Sequence, residues 1–326
     1  MPQHDEMFLG VDIGGTKVAA GLVNTKGEML FKTRAPMNST GSEEDALSSV
    51  CTAIDSVLAE ASAKIRAIGV STPGTVDLAT GTVVNPYNIP CWRNYPLGQA
   101  IRERYGLRTE VHNDGNAAGL AEALWGAGAS HKMVLYATIG TGIGTAIVYG
   151  GRLYLGRTHS AGEGGHMVIN FQGPKCNCGK SGCIETFAAG PAIARRAQEA
   201  VQATSHEGEA LLRLVEGNLG DVRSETVARA WEQGDPLATR ILEETVNLLA
   251  IWFGNMIDFI EPDVIVVGGG LSGLIARWFE RLGEQTARWC NNPHSREIAF
   301  AEAKYGPDSG IVGAAAVCFA GKNYIS

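Results

Sequence analysis

The sequence predicts a mixed α/β fold with a repeated half and a cleft between two packed lobes. Three observations point there. At 326 residues the chain is long enough for two domains of roughly 150 residues, each with its own core. An apolar strand, Met7 to Ile13, runs into the turn Gly14-Gly15 and on into a second strand, Lys17 to Val23. The same order returns at Lys132 to Ile139, a glycine turn, and Thr145 to Tyr149. Finally, glycine supplies 42 of the 326 residues, well above its ordinary share of about 7%. Glycine loses the most backbone entropy on folding, so the excess points to loops that bring bare backbone up to a ligand.

The elements follow in order. Asn24-Thr25-Lys26-Gly27 reads as a hairpin turn into a third strand, Met29 to Arg34. Helical spacing of Ala46, Val50, Ile54, Val57 and Leu58 marks a helix within Ser42 to Lys64. A strand at Ala67 to Ser71 stops at Pro73-Gly74, and hairpins plus a helical crossover make the sheet mixed rather than purely parallel. Arg108 to His112 leads through Asn113-Asp114-Gly115 into an alanine-rich helix ending near Trp125. From Pro191 to about Ile260 the pattern is mostly helical, and Val264 to Val267 is a strand ending in three glycines. No linker or low-complexity tract separates the halves.

Composition excludes several classes. With 45% hydrophobic and 19% charged residues, disorder and coiled coil are ruled out. Lys plus Arg is 27 against 34 Asp plus Glu, a net charge of −7 without basic clusters, which argues against nucleic acid as a partner. The apolar stretch Leu248 to Ile260 is too short to span a bilayer and is broken by Asn255 and Asp258, so no membrane association is expected. The N-terminus lacks a signal-peptide layout, and Cys51, Cys91, Cys290 and Cys318 are scattered singles that suit a reducing compartment. A cytoplasmic protein is expected.

Two glycine turns are candidate phosphate cradles. Asp12-Ile13-Gly14-Gly15-Thr16-Lys17 offers bare N–H groups and a hydroxyl, with Asp12 able to hold a hydrated Mg²⁺; an ordinary hairpin turn reads equally well. Gly140-Thr141-Gly142-Ile143-Gly144-Thr145 repeats the pattern between two strands and lacks the helix that a dinucleotide fingerprint requires. In matching positions of two lobes they could grip one polyphosphate from opposite sides. Gly268-Gly269-Gly270 would suit a base or ribose lying on backbone, or a plain strand-to-helix turn. Gly173 to Ser181 imitates a P-loop, but its spacing, its proline and its cysteines rule that out.

The metal signal is strong. Cys176, Cys178 and Cys183, with His166 ten residues upstream, supply three thiolates and an imidazole, the donor set of a closed structural Zn²⁺ site. A disulfide would be strained at this spacing and would leave a thiol over. Zinc here would tie the loop after an expected strand, Met167 to Phe171, back onto His166. It would also anchor Glu163 and Glu185, two carboxylates suited to sugar hydroxyls; without zinc to pin them, a solvated pair of glutamates is the reading. Asp114, between a strand and a helix, is the candidate base, since the helix dipole favours its ionised form; a plain N-cap is the commoner role for such a residue. Asn88 is a polar loop residue or simply a turn residue.

Together these strings resemble the ROK family of the actin-like, hexokinase-type (ribonuclease H-like) ATPase fold, over Leu9 to about Val317. The carriers are VDIGGTK (Val11 to Lys17), HNDGNAAGLAE (His112 to Glu122), IGTGIGTAIV (Ile139 to Val148), AGEGGHM (Ala161 to Met167) and CNCGKSGCIE (Cys176 to Glu185). The resemblance implies a small lobe of residues 1–118 plus 309–326 and a large lobe of residues 119–308 carrying the zinc loop. It implies Asp114 as catalytic base, and Gly74, Asn88, Asn113, Glu163, His166 and Glu185 as sugar contacts. Gly14, Thr16, Thr141 and Gly142 would meet the phosphates, alongside Gly15, Lys17 and Gly140, and Gly268 to Gly270 the adenosine.

The implied reaction transfers the γ-phosphoryl group of ATP to a hexose hydroxyl, most often that on C6, with Mg²⁺ bridging the phosphates. The resemblance is greatest to the zinc-containing bacterial glucokinases. AGEGGHM and the three-cysteine loop look more like the glucokinase and N-acetylmannosamine kinase branches than the fructokinase branch, so glucose is the expected substrate and N-acetylmannosamine the alternative. A homodimer or homotetramer is the family habit. A sugar-responsive repressor would need a helix-turn-helix domain ahead of Met7, where only six residues stand. A binding protein with a decayed site is opposed by the complete set of Asp12, Asp114, Glu163 and Glu185.

Overall fold

In the computed structural model, residues 6–86, 88–203 and 207–325 are described. The chain opens with β1 (Met7–Ile13), β2 (Lys17–Asn24) and β3 (Met29–Pro36), each antiparallel to the next. Asn24 shapes the second hairpin: its Oδ1 accepts the N–H groups of Lys26 at 2.9 Å and Glu28 at 3.0 Å, while Gly27 takes the left-handed conformation the turn requires. Next comes α1 (Glu43–Glu60), started by a capping box between Ser42 and Asp45. It buries Ala46, Val50, Ile54 and Val57, four of the five apolar positions the spacing singled out.

β4 (Ile65–Thr72) lies parallel to β1, a short ribbon pairs β5 (Val76–Asp77) with β6 (Thr82–Val83), and α2 (Leu97–Tyr105) leads to β7 (Arg108–Asn113), parallel to β4. Then follow α3 (Asp114–Trp125), β8 (Met133–Ile139), β9 (Ile143–Tyr149) and β10 (Arg152–Leu153). The helical stretch holds α4 (Glu185–Ala188), α5 (Gly190–Ala203), α6 (Glu209–Leu214), α7 (Ser224–Glu232) and α8 (Pro236–Ile260). The chain finishes with β11 (Val264–Gly268), α9 (Ser272–Ala276), α10 (Phe279–Thr286), β12 (Ala299–Glu302) and α11 (Ser309–Ala320).

The repeat is visible in the topology. One five-stranded sheet has the order β3-β2-β1-β4-β7 and the other β10-β9-β8-β11-β12. Numbered within its own sheet, each reads third, second, first, fourth, fifth.

The chain divides into two compact units. Unit one holds everything up to Val134, Ala146–Gly162, and the chain from Ala303 on; unit two holds Leu135–Thr145 and Glu163–Glu302. In unit one, Leu9, Val11, Ile54, Ile68, Trp92 and Val312 are fully buried. Helix α11 lies directly on β1 and β4, because Gly10 and Gly69 present no side chain: a Cβ at either would run into the carbonyl of Ile311 or Ala314. Unit two buries Leu249, Trp252, Phe253, Ile265 and Val266 completely.

A boundary after residue 118 cuts α3 in the middle. In the structure the whole helix stays in unit one, packed along α11 where Gly313 meets Ala117. The expected strand Met167 to Phe171 does not form. Only an isolated bridge joins Val168 to Cys183, because the chain here folds into turns, Gly173 N–H to Asn170 O and Ile169 N–H to Gly182 O, that gather the cysteines. Among the described residues no helix is long and apolar enough to cross a membrane.

Candidate active site

Unit one gathers Asp12, the first glycine turn, Gly74, Asn88, Asn113 and Asp114 around the ends of β1, β4 and β7. Asp12 stands beside Ser71 in the parallel register of β1 and β4, and Ser71 Oγ donates to Asp12 Oδ1 at 2.9 Å. Loss of water raises the Asp12 pKa, opposed by the Ser71 hydrogen bond and the Lys17 charge. A partly desolvated carboxylate of this kind suits a hydrated Mg²⁺, which binds through one or two carboxylates plus substrate phosphates. Neither Ser71 nor Gly310, which makes room for the carboxylate, carries a signal in the sequence that marks it for this role.

The two glycine turns share one plan. Gly14 N–H donates to Lys17 O, and Gly140 N–H donates to Gly142 O, both at 2.9 Å. The first glycine of each turn therefore closes the hairpin with its own amide. The next two amides, of Gly15 and Thr16 and of Thr141 and Gly142, have no acceptor among the described residues, so these are the donors a phosphate could use. Thr16, Lys17 and Thr141 are exposed. Gly15 has a second reason to be glycine, because the Asn88 loop lies across it and a Cβ would sit 2.7 Å from Asn88 O.

Asn113 fixes the entry to α3. Its Oδ1 accepts the Asn116 N–H at 3.2 Å, and its Nδ2 donates to Gly74 O at 3.3 Å. Gly74 sits at φ 85 against Pro86. Asn113 is thus the N-cap, which leaves Asp114 as the first helical residue with one oxygen accepting the Gly115 N–H at 2.9 Å. The Asp114 side chain is accessible to solvent, yet the surrounding protein removes enough water to push its pKa up to about 6. The negative charge of Asp12 adds to that rise, and the Gly115 and Asn113 hydrogen bonds oppose it. Desolvation therefore outweighs the helix dipole that the sequence brings to mind.

Unit two holds the rest. His166, Cys176, Cys178 and Cys183 place one ligand atom each within 4.8 Å of one another. Cys176 Sγ is 3.5 Å from His166 Nδ1 and Cys178 Sγ is 3.6 Å from Cys183 Sγ. Tetrahedral Zn–S bonds of about 2.3 Å and Zn–N bonds of about 2.0 Å set neighbouring ligand atoms roughly 3.5–3.8 Å apart, so the four residues fit zinc. Burial and the adjacent thiols push Cys183 up to about 12, and a dication is what would let such sulfurs ionise at neutral pH.

Glu185 follows this cluster and opens α4, where its Oε2 accepts the Ile143 N–H at 2.9 Å. Glu163 is exposed, and its carbonyl accepts the His166 N–H at 3.0 Å. Gly164 N–H donates to Thr145 Oγ1 at 3.0 Å, and Gly165 packs so tightly on the Ile143 carbonyl that no Cβ fits. The AGEGGH segment is therefore seated on β9.

A cavity of about 480 Å³ opens beside the second turn, lined by Gly140, Thr141 and Gly270 together with Gly190, Pro191 and Val222. Of the three-glycine run, Gly270 alone lines it. Gly268 leaves room for Tyr136, since a Cβ there would run into its ring, and Gly269, at φ 88, approaches the Ile139 backbone. The α5 and α7 walls were not anticipated from the sequence; the Gly190-Pro191 pair that opens α5 was the available signal.

The chain is similar to known proteins over nearly its whole length. It is 33% identical over 310 residues to a glucokinase of Streptomyces coelicolor, covering 95% of this chain and 96% of that one. It is 30% identical over 322 residues to an N-acetyl-D-glucosamine kinase of Salmonella paratyphi B, covering 95% and 98%. Its structure matches that of a ROK family glucokinase from Streptomyces griseus, solved with glucose and AMPPNP, at a TM-score of 0.80 and 32% identity over 95% and 98% of the two chains. The ROK family profile matches residues 8–320, so the chain belongs to the ROK family and has the actin-like ATPase fold of these kinases.

Proposed function

We propose that the protein is an ATP-dependent hexose kinase that phosphorylates glucose on its 6-hydroxyl, with Asp114 as general base. The observation that carries this reading is Asp114 itself, a solvent-accessible carboxylate with a pKa pushed up to about 6, in the same unit as the Gly15 and Thr16 amides, which have no acceptor among the described residues. A base titrating near the working pH combines a useful ionised fraction with real proton affinity.

In this reading Asp114 takes the proton of the 6-hydroxyl as that oxygen bonds to the γ-phosphorus of ATP. The bond from the γ-phosphorus to the β–γ bridging oxygen breaks, and ADP leaves. In unit one the amides of Gly15 and Thr16, and in unit two those of Thr141 and Gly142, are the donors offered to phosphate oxygens, and the cavity beside Gly270 is offered to the base of the nucleotide. In unit one Asn88 and Asn113, with Gly74 fixed by the Asn113 amide, are groups suited to sugar hydroxyls, and in unit two so are Glu163, His166 and Glu185. Asp12 holds hydrated Mg²⁺, which would neutralise charge on the phosphates. His166, Cys176, Cys178 and Cys183 hold zinc, whose contribution is to fix the loop that presents Glu163 and Glu185. Three ionised thiols suit a reducing, cytoplasmic location.

A second hexose deserves a place in the test, because a Salmonella relative at 30% identity is an N-acetyl-D-glucosamine kinase. ADP release from Mg-ATP is measured with glucose, N-acetylglucosamine, N-acetylmannosamine, mannose and fructose. Turnover highest with glucose supports the reading. A preference for an N-acetyl sugar moves the substrate, and no turnover with any hexose defeats the kinase assignment.

A further inference from the structure

We propose that Glu185 is a positioning residue for the phosphoryl donor, transmitting the order of the Cys/His loop to the second glycine turn by fixing one peptide plane. The proposal rests on the hexose-kinase and zinc readings above and extends the role of Glu185 beyond the sugar.

Glu185 has two faces. Oε1 is 3.9 Å from both His166 Nδ1 and Cys176 Sγ, so it looks onto the ligand cluster. Oε2 accepts the Ile143 N–H at 2.9 Å. That N–H belongs to the peptide joining Gly142 to Ile143. The carbonyl of the same peptide accepts the Gly140 N–H at 2.9 Å. One peptide plane is thereby held at both ends, by the hairpin on one side and by the carboxylate on the other.

Such a clamp matters because glycines stand at 140, 142 and 144, so the turn has few side chains of its own to restrain its backbone. Without the carboxylate the plane keeps only its Gly140 hydrogen bond, and the Thr141 and Gly142 amides beside it are less firmly placed for phosphate. Gly142 also has to be glycine for the clamp to close, since a Cβ there would lie 2.7 Å from Glu185 Oε2. Glu185 itself stands two residues after Cys183, so the loop that the four ligands gather decides where its carboxylate reaches.

The test uses the full-length, zinc-loaded protein and two readouts: hydrogen exchange of the Ile143 amide, and the affinity for a non-hydrolysable ATP analogue by calorimetry. Glu185→Ala is expected to speed Ile143 exchange and to weaken the analogue, each by about tenfold or more, the scale of a hydrogen bond to a charged acceptor. Glu185→Gln keeps an oxygen for the Ile143 N–H, so both readouts stay within about threefold of the parent while hexose affinity falls. Stripping the metal with a chelator is expected to speed Ile143 exchange in the parent and to add nothing in Glu185→Ala. Folded Glu185→Ala protein with parental Ile143 exchange and parental analogue affinity would overturn the proposal. If that variant does not fold, unchanged Ile143 exchange in the metal-stripped parent does the same. Failure of the kinase reading looks different: no hexose supports ADP release, while the Ile143 amide still responds to Glu185.

Discussion

Gly310 and Asp12 stand so close that a Cβ at position 310 would fall on the Asp12 carboxyl group. The same carboxylate is held by Ser71, whose hydroxyl also lies 3.2 Å from the Gly310 carbonyl. The first residues of α11 are thus part of the seat of the candidate Mg²⁺ ligand. Gly310→Ala is expected to push Asp12 off Ser71 and to raise the Mg²⁺ concentration needed for half-maximal turnover by about tenfold. Overpacking of this kind costs about 1–3 kcal/mol, so the variant should still fold. Turnover against Mg²⁺ beside a thermal melt checks this, and an unchanged Mg²⁺ requirement would remove Asp12 from the metal.

Asp114 predicts a pH profile. With its pKa raised to about 6, kcat/KM should be flat above that value and fall about tenfold per pH unit below it. Asp114→Asn should lower kcat by about 10²–10⁴-fold, the usual contribution of a positioned base. The stability effect has the opposite sense. A carboxyl whose folded pKa lies above its ordinary 3.8 favours folding at low pH, and that benefit is lost as pH rises through about 6. Asp114→Asn should therefore melt no lower than the parent at pH 8, with any advantage gone below about pH 4. A variant that loses activity only because it unfolds would contradict this assignment.

The fold was legible where the pattern is local. The continuous apolar run of β1, the Asn24 turn and the spacing of Ala46, Val50 and Ile54 each depend on neighbours in sequence, and the structure has them. The metal cluster was legible for a different reason: cysteine and histidine at short spacing have few other uses, and the four ligand atoms do come together. What could not be read depends on distant partners. Nothing near Gly14 or Gly140 says that their amides close the hairpins rather than face a ligand. The strand expected at Met167 to Phe171 lost to turns that bring the cysteines together, since tertiary constraints override a short apolar run. Ser71, Gly310 and the α5 wall of the cavity owe their places to packing between elements far apart in the chain.

Zinc makes a separate prediction. Freshly purified protein should hold about one zinc per chain, and Cys183→Ala, which removes a buried ligand, should hold far less. The loop from His166 to Cys183 contains no regular strand, so metal loss should melt it locally while leaving both five-stranded sheets in place. Far-UV circular dichroism should then change little, while hexose turnover falls by about 10²-fold or more, in line with loss of ordered carboxylates beside the ligands. Metal analysis with parallel activity assays decides, and full activity in zinc-free protein would make the cluster irrelevant to catalysis.

His112 predicts where the protein becomes acid-sensitive. It is the penultimate residue of β7, next to Asn113 and Asp114, its ring is buried, and among the described residues Nδ1 has no hydrogen-bond partner. Burial, with smaller contributions from the nearby positive charges of His159 and Lys322, pushes its pKa down to about 4 from an ordinary 6.5. A base with a depressed folded pKa is neutral in the folded protein while its unfolded form takes up a proton. Stability is then fully present above pH 6.5 and falls as the pH drops toward 4, by roughly 3 kcal/mol at 1.36 kcal/mol per pH unit. His112→Leu removes the titrating group and, because the ring nitrogen has no partner to lose, should leave stability at pH 7 within about 1.5 kcal/mol of the parent. Urea unfolding at pH 7 and pH 4.5 should show the parent losing more stability than the variant. Equal losses would mean that other groups carry the acid response and that the ring is protonated without harm to the strand that delivers Asp114.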